Sequence, residues 1–141
     1  MPTAADAALL VDTSVAVPLV VSDHEDHAEV RDGLRGRTLG LAGHAAFETY
    51  SVLTRLPAPL RRSPSATQRL LTANFPATRF LDEGATAALR ERLAHLGIAG
   101  GAVYDALVGA TALHHRLPLV TRDHRATGTY RKLDVPLWSP R

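Results

Sequence analysis

Short apolar runs that break off at an acid stand near both ends of this chain, and they constrain its fold more than any other feature. Ala7–Val11 (AALLV) runs directly into Asp12, and Leu117–Thr121 (LPLVT) is followed by Arg122 and Asp123. Short, wholly apolar runs bounded by polar residues fit strands buried on both faces. Further strands are expected over 38–42 and 78–81, with an edge strand over 135–138. Helical patterns separate them over 24–35, 44–56, 65–74, 84–95 and 102–115, and the last is the strongest. Strands alternating with helices of about 10–15 residues give crossover units and a parallel sheet. The expected fold is α/β, a three-layer α/β/α sandwich with a mostly parallel central sheet. No repeat or domain boundary interrupts the chain, so a single domain over 1–141 is expected. The one linker-like stretch, 56–65 (LPAPLRRSPS), reads as a loop.

Composition narrows the chemistry. There is no cysteine among the 141 residues, which excludes disulfides and thiolate metal sites. The apolar stretch Val15–Val21 holds Pro18 and is far too short to span a membrane. The start of the chain lacks the basic and apolar segments of a secretory signal, so a cytoplasmic location is expected. Net charge is only +2, and Lys132 is the sole lysine beside 15 arginines. Arginine forks suit phosphate oxygens, but GC-rich coding explains the same bias, so charge decides nothing here. Arg61, Arg62 and Arg69 around the proline-rich loop read as solubilising charge more than as RNA contacts. Seven histidines show no convergent zinc pattern, and Trp138 reads as edge-strand packing.

The acids carry more information. Asp12 and Asp123 both fall at or just past the carboxyl end of an expected strand, the edge at which open parallel sheets bind ligands. Either one alone could simply cap the next helix. Asp105 lies in the first turn of the helix over 102–115. At 100° per residue it falls on neither the apolar face of Val103, Ala106, Leu107 and Ala110 nor the polar strip of Tyr104, Thr111 and His115. It shares a flank with Val108, Gly109 and Ala112, where a carboxylate is costly unless paired or bound to a cation. Glu48 groups with His44, Ser51, Val52 and Arg55, and pattern alone reads it as an ordinary solvent-facing glutamate. Acids at about 4 Å repel one another by roughly 1–4 kcal/mol per pair near a surface. A set of oxygen ligands points to Mg²⁺ or Mn²⁺, which can orient a water and neutralise charge on a phosphodiester.

Four segments, LLVDTSV, HAAFETYSVLTRL, YDALVGATA and LVTRD, together resemble the PIN-domain family, and within it the VapC-type toxins of bacterial toxin–antitoxin pairs. The resemblance implies a PIN fold, an endoribonuclease activity, Mg²⁺ or Mn²⁺ as cofactor, a cognate antitoxin and a homodimer. It implies that Asp12 and Asp105 are direct metal ligands and that Glu48 and Asp123 complete the catalytic set, directly or through water. Thr13, Ser14 and Thr121 match hydroxyl positions that orient the ligands or the phosphate, and Arg122 stands where it could meet substrate. An antitoxin helix is expected in an apolar groove, with Val17, Leu19 and Val20 as wall residues or as core.

Rival readings remain. A receiver domain would use a strand-end acid such as Asp12, but it needs a lysine after a late strand, and Lys132 follows no strand-like run. An aspartyl-phosphate phosphatase wants an acid two residues after Asp12, where Ser14 stands. A housekeeping PIN nuclease and a non-catalytic RNA- or protein-binding module of the same fold both stay open.

Overall fold

The structure is a computed structural model, and it describes residues 7–140. Three short strands form a parallel sheet: β1 (Leu9–Val11), β2 (Leu39–Leu41) and β3 (Leu119–Val120), in the order β2-β1-β3. Leu9 pairs with Leu39 and Val11 with Leu41, while Leu10 pairs with Leu119 and Val11 with Val120. Seven helices connect and cover them: α1 (Thr13–Val20), α2 (His27–Gly33), α3 (His44–Thr54), α4 (Pro64–Asn74), α5 (Glu83–Leu96), α6 (Ala102–His115) and α7 (Thr127–Lys132).

The alternation of strand side chains explains the layers. Leu9 and Val11 face one core with Val15, Leu53, Leu71 and Phe75, built from α1 to α4. Leu10 faces the other with Ala106, Ala112, Tyr130 and Leu133, built largely from α6, α7 and the chain around them. The central strand is therefore fully buried on both sides, and the expected three-layer α/β/α sandwich is what the chain forms.

The differences lie at the edges. The expected strands over 78–81 and 135–138 contract to single parallel bridges, Ala42 to Arg79 and Leu119 to Leu137. Two helices had no clear signal. α1 carries Pro18 inside its eight residues, a residue that costs helix interiors about 3 kcal/mol, yet Asp12 caps its start and its buried side closes the first core. α7 has only six residues, too few for a readable period. α6 matches its expected span, but its most buried side is Ala106, Val108, Gly109, Thr111 and Ala112. Thr111, expected on a polar strip, is buried and donates to the Leu107 carbonyl at 2.7 Å. The reason is that α6 is packed by α3, α5 and α7 at once, so it is enclosed around more of its girth than a surface helix. Of the expected groove residues, Val20 is core, and Val17 and Leu19 are half-buried against it. Among the described residues, no helix is long and apolar enough to cross a membrane.

Candidate active site

Asp12 ends the central strand and is only 5% exposed. Four donors surround its carboxylate. The Ser14 backbone N–H and hydroxyl both reach Oδ1. The Thr121 hydroxyl, just past β3, and the Tyr130 hydroxyl from α7 reach Oδ2, the latter at 2.9 Å. Two donors reach each oxygen, and all of them are neutral. Burial pushes the Asp12 carboxyl above the ordinary range, the hydroxyl bonds oppose it, and the nearby Asp123 charge adds to the rise.

The neighbouring elements bring the other acids to this strand end. α3 presents Glu48, whose Oε1 lies 3.3 Å from His44 Nε2 one turn earlier. α6 presents Asp105 from its first turn, half-buried, with no hydrogen bond or ion pair among the described residues. The turn after β3 presents Asp123, whose Oδ1 accepts from the Arg125 N–H at 3.0 Å and lies 3.5 Å from its guanidinium. Burial raises the Glu48 carboxyl, and the Asp105 and Asp12 charges raise it further, against the pull of His44. Asp105 is raised by burial first, then by Asp123 and Asp12, with Arg125 opposing. Glu48 and Asp105 thus lie within reach of the Asp12 charge, and Asp12 and Asp105 within reach of the Asp123 charge. Glu48, which the helical pattern assigned to solvent, faces a cleft of about 550 Å³ shared with Asp105, His44, Tyr104, Arg125 and Thr129. A separate apolar pocket between β2, α3 and α4, lined by Phe47, Tyr50, Phe75 and Phe80, contains none of the acids.

The hydroxyl residues fall around Asp12. Ser14 and Thr121 bond to it directly, Ser14 Oγ and Thr121 Oγ1 approach to 3.5 Å, and Thr13 accepts from Thr49 at 3.4 Å beside Glu48. Arg122 sits differently from the expectation of a substrate contact. Its backbone N–H donates to Ser14 Oγ at 2.8 Å, but its guanidinium turns to α2, 3.6 Å from Asp26 and 3.4 Å from Glu29. Arg125 is the arginine that lines the acidic cleft.

Tyr130 was not legible in the sequence. Its ring reaches Asp12 through a gap at Gly109, where an added Cβ would stand 2.9 Å from Tyr130 Cδ1 and 3.0 Å from Val135 Cγ2. Gly43, before α3, has φ +52° and meets Thr111, so a side chain there would strain the entry to the helix that carries Glu48. The only signals for these two were isolated glycines beside helical patterns.

The donor set tests its fit to a cation. All the ligand atoms are hard oxygens, which suits Mg²⁺ or Mn²⁺. Among the described residues Asp105 has no hydrogen-bond or ion-pair partner, and the Asp12 carboxyl is met only by neutral donors. Among the described residues, no three His, Asp or Glu side chains stand close enough to enclose a metal ion.

Residues 9–132 match the PIN domain family model. The chain belongs to the PIN-domain family. This PIN domain is 52% identical over 127 residues to Ribonuclease VapC27 of Mycobacterium tuberculosis (strain ATCC 25618 / H37Rv), covering 90% of this chain and 93% of that one. It is 46% identical over 127 residues to Ribonuclease VapC40 of the same species, covering 88% and 92%. Its fold resembles those in the crystal structure of VapBC2 from Rickettsia felis bound to a DNA fragment from their promoter (TM-score 0.65, 14% identity, 94% and 98% covered) and of FitAcB from Neisseria gonorrhoeae (TM-score 0.64, 21% identity, 94% and 97% covered).

Proposed function

We propose that this chain, as a single PIN domain, is a metal-dependent endoribonuclease acting as the toxin of a toxin–antitoxin pair. The observation that carries the reading is its identity of 52% to a ribonuclease of the VapC type over nine-tenths of both chains. Asp12 after β1, Asp123 after β3, and Glu48 and Asp105 on one cleft supply the acids that such chemistry needs. Asp12 and Asp105 would hold Mg²⁺, or Mn²⁺ in its place. When bound, the ion supplies charge neutralisation at the phosphodiester and lowers the pKa of a water.

The protein groups have separable tasks on this reading. Ser14, Thr121 and Tyr130 fix the Asp12 carboxylate in one orientation. Glu48, steadied by His44, and Asp123, steadied by Arg125, complete the negative wall, directly or through water. Arg125 reaches into the same cleft and offers a phosphate its fork. The reaction is hydrolysis: water attacks phosphorus in line, the bond to the 3′ oxygen breaks, and that oxygen takes up a proton. Products carry 3′-hydroxyl and 5′-phosphate ends, and the 2′-hydroxyl is not used. The partners are RNA, a cognate antitoxin and a second copy in a homodimer, and the setting is the cytoplasm.

Induced expression with sequencing of new 5′ ends tests this, run beside Asp12→Ala and Asp105→Ala. Discrete new 5′-phosphate ends in the wild type alone support the reading. Equal cutting by the variants, or a 2′,3′-cyclic phosphate in the products, overturns it.

A further inference from the structure

Tyr104 is a large aromatic left 53% exposed beside the acids. One side of its ring is taken: His44 stacks on it with centroids 5.0 Å apart and planes 24° from parallel. A ring covered on one side and still half exposed leaves its other face open to the cleft. The same stack is tied to the acids at two points. His44 Nε2 lies 3.3 Å from Glu48, and Tyr104 is the chain neighbour of Asp105. Arg125, with its side chain 93% exposed, lines the same cleft. An aromatic face, an exposed guanidinium that touches Asp123 only through its Nε, and a pair of carboxylates match the parts of one nucleotide and its phosphate.

Resting on the ribonuclease reading, we infer that the Tyr104–His44 stack is a shelf for a single unpaired nucleobase next to the scissile phosphate. Aromatic rings bind bases by their faces, which every base offers and which a duplex keeps covered by its neighbours. His44 holds the Tyr104 ring flat by stacking beneath it, and its link to Glu48 keeps the shelf in register with the acids. Arg125 takes the phosphate attached to the stacked nucleotide. The shelf therefore selects RNA whose base can leave its own stack, and it is sensitive to which nucleotide flanks the cut.

The test uses the full chain and a uridine hexamer carrying one 2-aminopurine, titrated with Ca²⁺ in place of Mg²⁺. Binding by the wild type is expected to quench the 2-aminopurine at one position of the hexamer and not at the others. Tyr104→Ala should weaken binding by roughly five- to a hundred-fold and remove the quenching. Tyr104→Phe, which keeps the ring, should stay within about two-fold, and Phe80→Ala, an exposed aromatic outside the cleft, is the control. The hexamer annealed to its complement should neither bind nor quench. Equal affinity of Tyr104→Ala and wild type overturns the shelf while leaving metal-dependent cleavage by the wild type to stand. Equal quenching of the duplex overturns the selection for an unpaired base. Sedimentation of the same samples separates a protein contact: loss of self-association in Tyr104→Ala with unchanged RNA affinity assigns the ring to a second chain and overturns the proposal. A wild type that neither binds the hexamer nor cuts RNA in Mn²⁺ overturns both the shelf and the reading beneath it.

Discussion

Tyr130 donates a 2.9 Å hydrogen bond to Asp12 across 118 positions of chain. Both groups are buried, and the bond joins the last helix to the end of the central strand. Its chemistry is one-sided. A phenol can satisfy a lone pair but cannot cancel a charge, and the Asp12 carboxyl is held by hydroxyls and one amide with no ion pair among the described residues. The phenol in turn is pushed well above its ordinary pKa by burial and by the Asp12 charge, so it stays a donor at all physiological pH.

Tyr130→Phe should leave the ring packing intact and remove the bond. A hydrogen bond to a charged group contributes about 1.5–3 kcal/mol, but the substitution also frees one Asp12 lone pair for water. A loss of about 1 kcal/mol in stability is expected, read by urea denaturation. Cleavage in Mn²⁺ should fall about ten-fold, because one of the restraints on Asp12 is gone. An activity equal to wild type would show that Ser14 and Thr121 suffice.

Gly109→Ala should act on the same bond from the other side. The new methyl would meet Tyr130 Cδ1 at 2.9 Å and Val135 Cγ2 at 3.0 Å. Overpacking costs about 1–3 kcal/mol, and better helix propensity returns at most about 1. The expected net loss is about 1 kcal/mol in denaturation, with activity reduced as in Tyr130→Phe. A stabilised, fully active variant would mean that the contact relaxes freely.

Stability without cations should depend on pH in an uncommon direction. The Asp12, Glu48 and Asp105 carboxyls are all raised in the folded chain, so folding takes up protons as the pH is lowered toward their range. The stabilisation is complete below the unfolded values, about 3.9 for Asp and 4.3 for Glu, and is lost as pH rises through the folded ones. In EDTA, the Tm contribution of these acids should grow on mild acidification from neutral pH. Asp12→Asn should raise Tm in EDTA at pH 7.5 by a few degrees and flatten the dependence. The amide can still accept from Ser14 and can donate to the Thr121 and Tyr130 oxygens. A lowered Tm for Asp12→Asn would sink this account.

Cation binding should run the opposite way, because only ionised acids hold a cation. Mn²⁺ affinity, followed by calorimetry, should begin to fall at a pH above the ordinary carboxylate range. Asp12→Asn and Asp105→Asn should each weaken it about ten-fold or more, and EDTA should abolish cleavage. An affinity flat from neutral pH down to about 4 would rule out these acids as the ligands.

Much of this was legible in the residues, for reasons that can be named. β1 and β3 show themselves because a doubly buried strand must be apolar throughout, and their terminal acids mark the ligand edge. Asp105 was legible because helical spacing sets it among small residues. Glu48 was not, since a side chain that faces a cleft has the same periodicity as one that faces open water. Only the resemblance of HAAFETYSVLTRL to its family drew it in. α1 was hidden by Pro18, and Tyr130 by the shortness of α7. Arg122 and Arg125 flank Asp123 alike in sequence, and only the position of Asp26 before α2 and Glu29 on it tells them apart.

β1 lies between a partner formed early in the chain and one formed 109 positions after it, Leu10 against Leu119. The turn that follows that late partner brings Thr121 and Asp123, and the helix after it brings Tyr130. A chain still emerging from the ribosome therefore holds Asp12 and Glu48 long before it holds the remainder of the cluster. A copy that stops before β3 therefore lacks Thr121, Asp123 and Tyr130, and with them two of the four donors that hold the Asp12 carboxylate.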